Sequence, residues 1–194
     1  MSMRIKRRTR SKFSHRQRYV RRITLCGVLV AVGFFLSYLE AILPFQVGVP
    51  GVKLGLCHIV TVLAFMRLSG IETACITVVR VVLAALLFGS VASLIYSCAG
   101  ATLSLLVMLS LQRLNIQREK RDKPAFFSVV GVSVCGGVAH NLGQMGAAAL
   151  LMSTPGLLWY MPVLLVTGCV FGAITGVVGS LAADRLPHSI LNYE

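Results

Sequence analysis

Six long apolar stretches restrict what this chain can fold into. They cover residues 23–43, 52–68, 71–89, 91–111, 125–152 and 158–183. About 20 mainly apolar residues form a helix long enough to cross the hydrocarbon core of a bilayer. We therefore expect an all-α polytopic membrane protein whose six transmembrane helices occupy residues 23–186. A basic tail of residues 1–22 would precede this domain, and a short tail of residues 187–194 would follow it.

The composition agrees with a membrane protein. The chain has 56% hydrophobic and 13% charged residues, whereas a soluble domain has about 45–50% and about 25%. This balance excludes an ordinary soluble domain, a disordered body and a collagen-like chain. The six cysteines stand singly within apolar stretches, and none forms a CxxC pair. We therefore expect buried thiols rather than a metal site, a redox pair or a disulfide-rich secreted scaffold.

The net charge of +13 is distributed unevenly. Ten of the 19 Lys and Arg residues lie in the first 22 positions, and no acidic residue accompanies them. With six spans, 17 of the 19 fall on the side that holds both termini, while Lys53 lies on the other side and Arg80 within a span. Positive charge marks the cytoplasmic side, so we expect both termini inside. The basic tail would rest on anionic lipid, and we expect no specific nucleic-acid partner because base-stacking aromatic residues are sparse.

A few polar residues interrupt the apolar stretches. With this orientation they lie at mid-depth or in the outer half of the bundle, and they are Glu40, Lys53, His58, Arg80, His140, Asn141 and Gln144. Ionisable residues inside a membrane commonly mark functional sites. On α-helical spacing, His140, Asn141 and Gln144 share one face of the fifth span with Gly137 and Ala148. This pattern predicts an outward-opening, water-filled cavity for an anionic or strongly polar ligand.

Structural roles remain open for the same residues. Arg80 would brace the bundle if it paired with Glu40, the only acidic residue predicted in the outer half. His140 and Asn141 would then only form hydrogen bonds between helices, and His58 would be an ordinary core histidine. The Pro- and Gly-containing segment of residues 44–54 is interpreted either as a lid over the cavity or as a plain connecting loop.

Small residues recur at helical spacing in two spans. Gly168, Gly172 and Gly176 lie four residues apart in the last span, and Gly27 and Ala31 have the same spacing in the first. Small residues at this spacing allow close helix packing in membranes. They serve either packing within the bundle or the docking of another membrane subunit, and spacing alone does not distinguish the two.

No sequence motif indicates catalysis, a metal site or a cofactor. A P-loop, HExxH, GxSxG and a GxGxxG within a βαβ unit are all absent. Prenyl or phosphoryl transfer through Mg²⁺ requires clustered carboxylates, and the chain has only six acidic residues, none in an Asp-rich pair. We expect no catalytic residue, no metal and no cofactor.

Three segments resemble the heptaprenyl diphosphate synthase component I family, also called the Gx transporter family. Residues 50–61 read PGVKLGLCHIVT, residues 80–83 and 87–90 read RVVL and LFGS, and residues 137–144 read GVAHNLGQ. The first segment resembles the family signature PGxKLGLxNIVT, with His58 at a position usually occupied by Asn. The resemblance extends over about residues 23–183 and implies a bacterial cytoplasmic membrane protein.

That family is similar to the substrate-binding S components of energy-coupling factor transporters. The resemblance implies a six-helix bundle that binds a small molecule near the outer face. Arg80, His140, Asn141 and Gln144 would line the pocket, with Lys53 and His58 at its mouth. Gly27 and Ala31 would face a transmembrane coupling subunit that works with ATPases. The family name implies an alternative: a non-catalytic membrane partner of a prenyl diphosphate synthase in isoprenoid or quinone synthesis. A scaffold without a ligand is a third hypothesis.

Overall fold

The described part of the chain is entirely helical. The computed structural model describes residues 15–42, 56, 58–88 and 90–185. Their six α-helices are α1 His15–Ile42, α2 His58–Arg67, α3 Gly70–Phe88, α4 Val91–Glu119, α5 Val129–Leu151 and α6 Met161–Arg185. A short 3₁₀ helix, Pro155–Tyr160, joins the last two. Lys53 and the segment 44–54 lie outside the described residues.

Four of the six helices are long and apolar enough to cross a membrane. Their spanning parts are Tyr19–Glu40 in α1, Gly70–Leu87 in α3, Val91–Glu119 in α4 and Met161–Ala182 in α6. The predicted all-helical membrane fold is confirmed at this level. The described part of α2 has 10 residues, and α5 has 23 residues but contains His140, Asn141 and Gln144. The spanning roles of α2 and α5, and the orientation of the termini, stay predictions.

Helix ends differ from the predicted stretches because hydropathy marks the membrane core rather than the ends of helices. Helix α1 begins at His15, inside the predicted tail, and α4 runs eight residues past position 111. Arg113 and Arg118 therefore lie on a helix instead of in the predicted loop, where Leu, Gln and Arg favour helix continuation. Helix α5 begins later than predicted because Ser128 caps it, accepting a hydrogen bond from the Gly131 N–H at 3.1 Å.

Helix α5 lies between α4 and α6 and packs extensively against both. Glycines permit both close approaches. A Cβ atom added at Gly143 would lie 2.7 Å from the Ala99 carbonyl oxygen on α4. One added at Gly172 on α6 would lie 2.8 Å from the Val134 Cα on α5. The three helices therefore meet backbone to backbone, as small residues allow in membrane bundles.

Side-chain hydrogen bonds fix two chain connections at one end of the bundle. Arg22 on α1 forms a 3.0 Å ion pair with Glu72, whose carboxylate also accepts from the Ser69 N–H at the start of α3. Asn115 on α4 holds the turn before α5, because its Oδ1 accepts from the N–H groups of Phe126 and Phe127. The connections next to α3 and α5 are therefore held by specific contacts rather than left as loose loops.

Candidate functional site

A buried polar cluster lies where α5 meets the other helices. His140, Asn141 and Gln144 follow one another on the inward face of α5 and are at most 7% exposed. The spacing of three and four residues puts them on one side of the helix. They lie in the large interface of α5 with α4 and α6, which also contains the buried hydroxyl groups of Ser133 and Thr175. These side chains therefore face protein rather than lipid.

Arg80 enters the cluster from α3. It is 5% exposed, and its Nη1 donates a 3.3 Å hydrogen bond to the Ser37 hydroxyl on α1. Its Nε is buried and has no hydrogen-bond partner among the described residues. Gly33 provides space for the arginine stem, since a Cβ there would lie 2.7 Å from the Arg80 Cδ. Two small residues one turn apart on α1 thus hold the arginine inside the bundle.

Of the alternatives that the sequence left open for Arg80, the pairing with Glu40 is not formed among the described residues. Glu40 lies on α1 close to Ser37 in sequence and is 8% exposed. Among the described residues the structure contains the Arg22–Glu72 ion pair and none between Arg80 and Glu40. That pair therefore does not brace the bundle in this structure, and no carboxylate of the described residues lies at ion-pair distance from the guanidinium.

Two histidines and a glutamine continue the cluster on the other side of Arg80. The side-chain nitrogen of Gln144 lies 2.8 Å from Nε2 of His140. The His140 ring centroid is 6.0 Å from that of His58 at the start of α2. Gly100 on α4 makes room for His140 and Gln144, because a Cβ there would lie 2.7 Å from Cγ of Gln144. Nε2 of His58 is buried and has no hydrogen-bond partner among the described residues.

Two small cavities, of about 10 Å³ each, adjoin these side chains. We name them the arginine cavity and the histidine cavity. The arginine cavity is lined by Ser37, Arg80, Val81, Ala84, Ser97, His140 and Gln144. The histidine cavity is lined by His58, Gly137, His140, Asn141, Gly168, Phe171, Gly172 and Thr175. Together they are lined by residues from all six helices.

The size of these cavities differs from the expected ligand pocket. Each has room for about one water molecule, whereas pockets for drug-sized ligands have volumes of roughly 300–1,000 Å³. The helices pack closely here because Gly100, Gly137 and Gly143 let them approach. A larger solute would require the helices to separate.

Asn141 has a connecting role that the sequence left open. Its side-chain nitrogen donates a 2.8 Å hydrogen bond to the Leu164 carbonyl on α6 and lies 3.4 Å from the Thr167 hydroxyl. The Leu164 carbonyl also accepts from that hydroxyl at 3.0 Å. The alternative of hydrogen bonding between helices therefore describes this amide, although Asn141 also lines the histidine cavity.

The small residues singled out in the sequence lie in two different environments. A Cβ atom at Gly168 or Gly176 would lie 3.0 Å or less from backbone or side-chain atoms of α5, and Gly172 was described above. Gly27 and Ala31 are exposed, and a Cβ at Gly27 would meet nothing within 4 Å. The glycines of α6 thus contact α5, while the two residues of α1 leave an open surface.

Several cavity residues did not stand out in the sequence. Ser37, Ser97 and Thr175 line the cavities, but single hydroxyl side chains are common in membrane helices and usually bond to their own backbone. Gly33 and Ser37 have helix-packing spacing, which gave no indication of the contact with Arg80. Within the described residues, no group of three or more His, Cys, Asp or Glu side chains is arranged to hold a metal ion.

Comparison with known proteins identifies the family. The family model described as heptaprenyl diphosphate synthase component I matches residues 29–182, more than three quarters of the chain. The chain belongs to this family. The match confirms the predicted resemblance. The matched range includes all residues of the polar cluster and of both cavities. No curated protein and no solved structure matches it.

Proposed function

We propose that this chain is the solute-binding subunit of a membrane transporter, with an S-component-like bundle. Its ligand is a small anionic or strongly polar molecule bound in the outer half of the bundle. The observation that carries the proposal is a buried arginine without a carboxylate partner among the described residues, next to cavities lined by all six helices. Buried charges are costly unless they are paired, so a cation kept in this position favours an anionic ligand.

In this proposal Arg80 is the main anion-binding residue. Gln144 and His140 supply further polar contacts, and Ser37 orients the guanidinium. His58 and Asn141 form the wall next to α6, and Glu40 and Lys53 contribute near the entrance. Because the cavities are the size of a water molecule in this structure, ligand entry requires the helices to move apart. Gly27 and Ala31 are our candidates for contact with a coupling subunit that works with ATPases.

The test is to identify small molecules that co-purify with the protein. The wild-type chain and Arg80→Gln are purified in mild detergent, and released metabolites are measured by mass spectrometry. Arg118→Gln is the matched control, because it removes an arginine that lies over the Phe126 ring, outside the cluster. We expect a metabolite that is present in the wild type and the control and lost in Arg80→Gln. Equal amounts in all three samples would contradict the proposal.

We propose one alternative, a non-catalytic membrane partner of a heptaprenyl diphosphate synthase. The family name supports it, and so does a basic surface formed by the end of α4 and the turn that follows it. This surface comprises Arg113, Arg118, Lys120, Arg121 and Lys123. Asn115 fixes the adjoining turn through hydrogen bonds to Phe126 and Phe127. A rigid cationic surface suits an acidic protein or a diphosphate group.

Deletion and co-purification test this alternative. We expect a soluble prenyltransferase to co-purify with the tagged wild-type chain and to be lost when Arg118, Arg121 and Lys123 are changed together to Gln. Deletion of the gene should also change the chain length or the amount of the cellular quinone. An unchanged quinone profile together with no co-purifying synthase would refute this alternative while leaving the transport proposal standing.

A further inference from the structure

We propose that the arginine cavity is a binding site for one halide ion, chloride under cellular conditions, with Arg80 as its principal ligand. The site does not depend on either proposed function, because it concerns the structure without an organic ligand. It would make the charge of a buried arginine compatible with a membrane environment. It would also explain why a water-sized cavity lies next to that arginine.

The charge of Arg80 is not balanced by a carboxylate of any described residue. Arg80 is 95% buried by its 5% exposure, and Arg is always protonated in proteins. Among the described residues, this side chain forms a 3.3 Å hydrogen bond to Ser37 and no ion pair with a carboxylate. Ser37 is neutral and cannot balance the charge. A buried cation requires a nearby anion to offset the lost hydration, and a mobile ion is the remaining source.

The wall of the arginine cavity offers hydrogen-bond donors to an anion. Nε of Arg80 is a buried N–H donor without a hydrogen-bond partner. The hydroxyl-bearing residues Ser37 and Ser97 line the same cavity, as do the nitrogen-bearing side chains of His140 and Gln144. Hydroxyl, amide and guanidinium hydrogens all donate to anions. None of the described residues that line this cavity is Asp or Glu, so no carboxylate among them repels a negative charge.

The volume of the arginine cavity limits the size of its occupant. The cavity has a volume of about 10 Å³, which is the space of about one water molecule. Chloride and bromide are monoatomic and somewhat larger than water, so that they fit after small side-chain shifts, whereas sulfate, phosphate and carboxylic acids do not. A water molecule would fill the space but would leave the arginine charge unbalanced. The combination of charge and volume therefore points to a single monoatomic anion.

Halide-dependent stability tests this proposal. The purified full chain is exchanged into sodium gluconate and titrated with sodium chloride or bromide at constant ionic strength, while the Tm is recorded. We expect a saturable rise of several degrees with either halide, and no saturable rise with sulfate. Arg80→Gln should abolish the effect, and Arg118→Gln should retain it. A wild-type Tm that does not respond to halide, or an equal response in both variants, would overturn the proposal.

A direct measurement keeps the proposal testable if Arg80→Gln does not fold. Wild-type crystals grown in bromide are examined by anomalous diffraction. In addition, the ³⁵Cl NMR line broadening is compared between the wild type and Arg80→Lys, which keeps the charge but loses the Nε donor of the arginine. We expect a bromide peak beside the Arg80 guanidinium and reduced broadening in the lysine variant. A water molecule refined at that position without anomalous signal would refute the site, even if a metabolite co-purified with the protein.

Discussion

Two glycines on α5 allow the energetic effect of the close packing between α4 and α5 to be measured by substitution. Gly143 and Gly146 lie three residues apart on the same helix. A Cβ atom at Gly143 would lie 2.7 Å from the Ala99 carbonyl oxygen and 2.8 Å from the Gly100 Cα, both backbone atoms of α4. A Cβ at Gly146 would meet nothing within 4 Å. The substitutions Gly143→Ala and Gly146→Ala are therefore chemically identical but differ in steric cost.

The expected difference follows from two terms. Replacing Gly by Ala within a helix gains up to about 1 kcal/mol through helix propensity, and this gain cancels when the two variants are compared. Overpacking costs about 1–3 kcal/mol, and it applies only to Gly143, where backbone rather than a flexible side chain must move. We expect Gly143→Ala to be less stable than Gly146→Ala by about 1–3 kcal/mol. Gly146→Ala should be at least as stable as the wild type.

Equilibrium unfolding in mixed micelles, with increasing dodecyl sulfate, measures these differences. The wild type and both variants are followed by circular dichroism at the same detergent composition, so that the unfolded reference state is shared. Equal stabilities, or a Gly146→Ala variant less stable than Gly143→Ala, would refute the backbone contact between α4 and α5.

Three further predictions concern hydrogen bonds that join elements. Asn115→Ala removes the side chain that fixes the turn after α4, so trypsin should cut that turn faster than in the wild type; equal rates would contradict this role. Asn141→Ala should lower the unfolding free energy by about 1 kcal/mol, since it loses the bond to the Leu164 carbonyl, and no change in dodecyl sulfate unfolding would argue against it. Glu72→Gln should cost about 0.5–1 kcal/mol by weakening the pair with Arg22, and a double-mutant cycle with Arg22→Gln should be non-additive and weaken with salt.

Much of the fold follows from hydropathy. Long apolar stretches predicted helices at the positions where α1, α3, α4 and α6 lie, because an unpaired backbone is too costly in a bilayer. The ends of the helices were less predictable. Ser128 caps α5, and α4 continues to Glu119 beyond the apolar residues. These ends depend on local hydrogen bonds and helix propensity, which hydropathy does not record.

The candidate site was predictable in part. Arg80 and the polar residues of α5 stood out because such residues are rare in apolar helices. Helical spacing also predicted that His140, Asn141 and Gln144 share a face. It did not predict that Asn141 bonds to the backbone of α6 or that Ser37 contacts Arg80. Those contacts join residues 23 and 43 positions apart, and a single sequence contains no information on such distances.

The sequence by itself determined the class of protein, its family and the identity of its rare buried polar residues, because each depends on composition or on short motifs. The tertiary structure decided which of those residues meet. It brought Arg80 to Ser37 rather than to Glu40, and it reduced the expected cavity to two spaces the size of a water molecule. The physical reason is the glycine-mediated contact of α4, α5 and α6, which sets the distance between helices and with it the room left for a ligand.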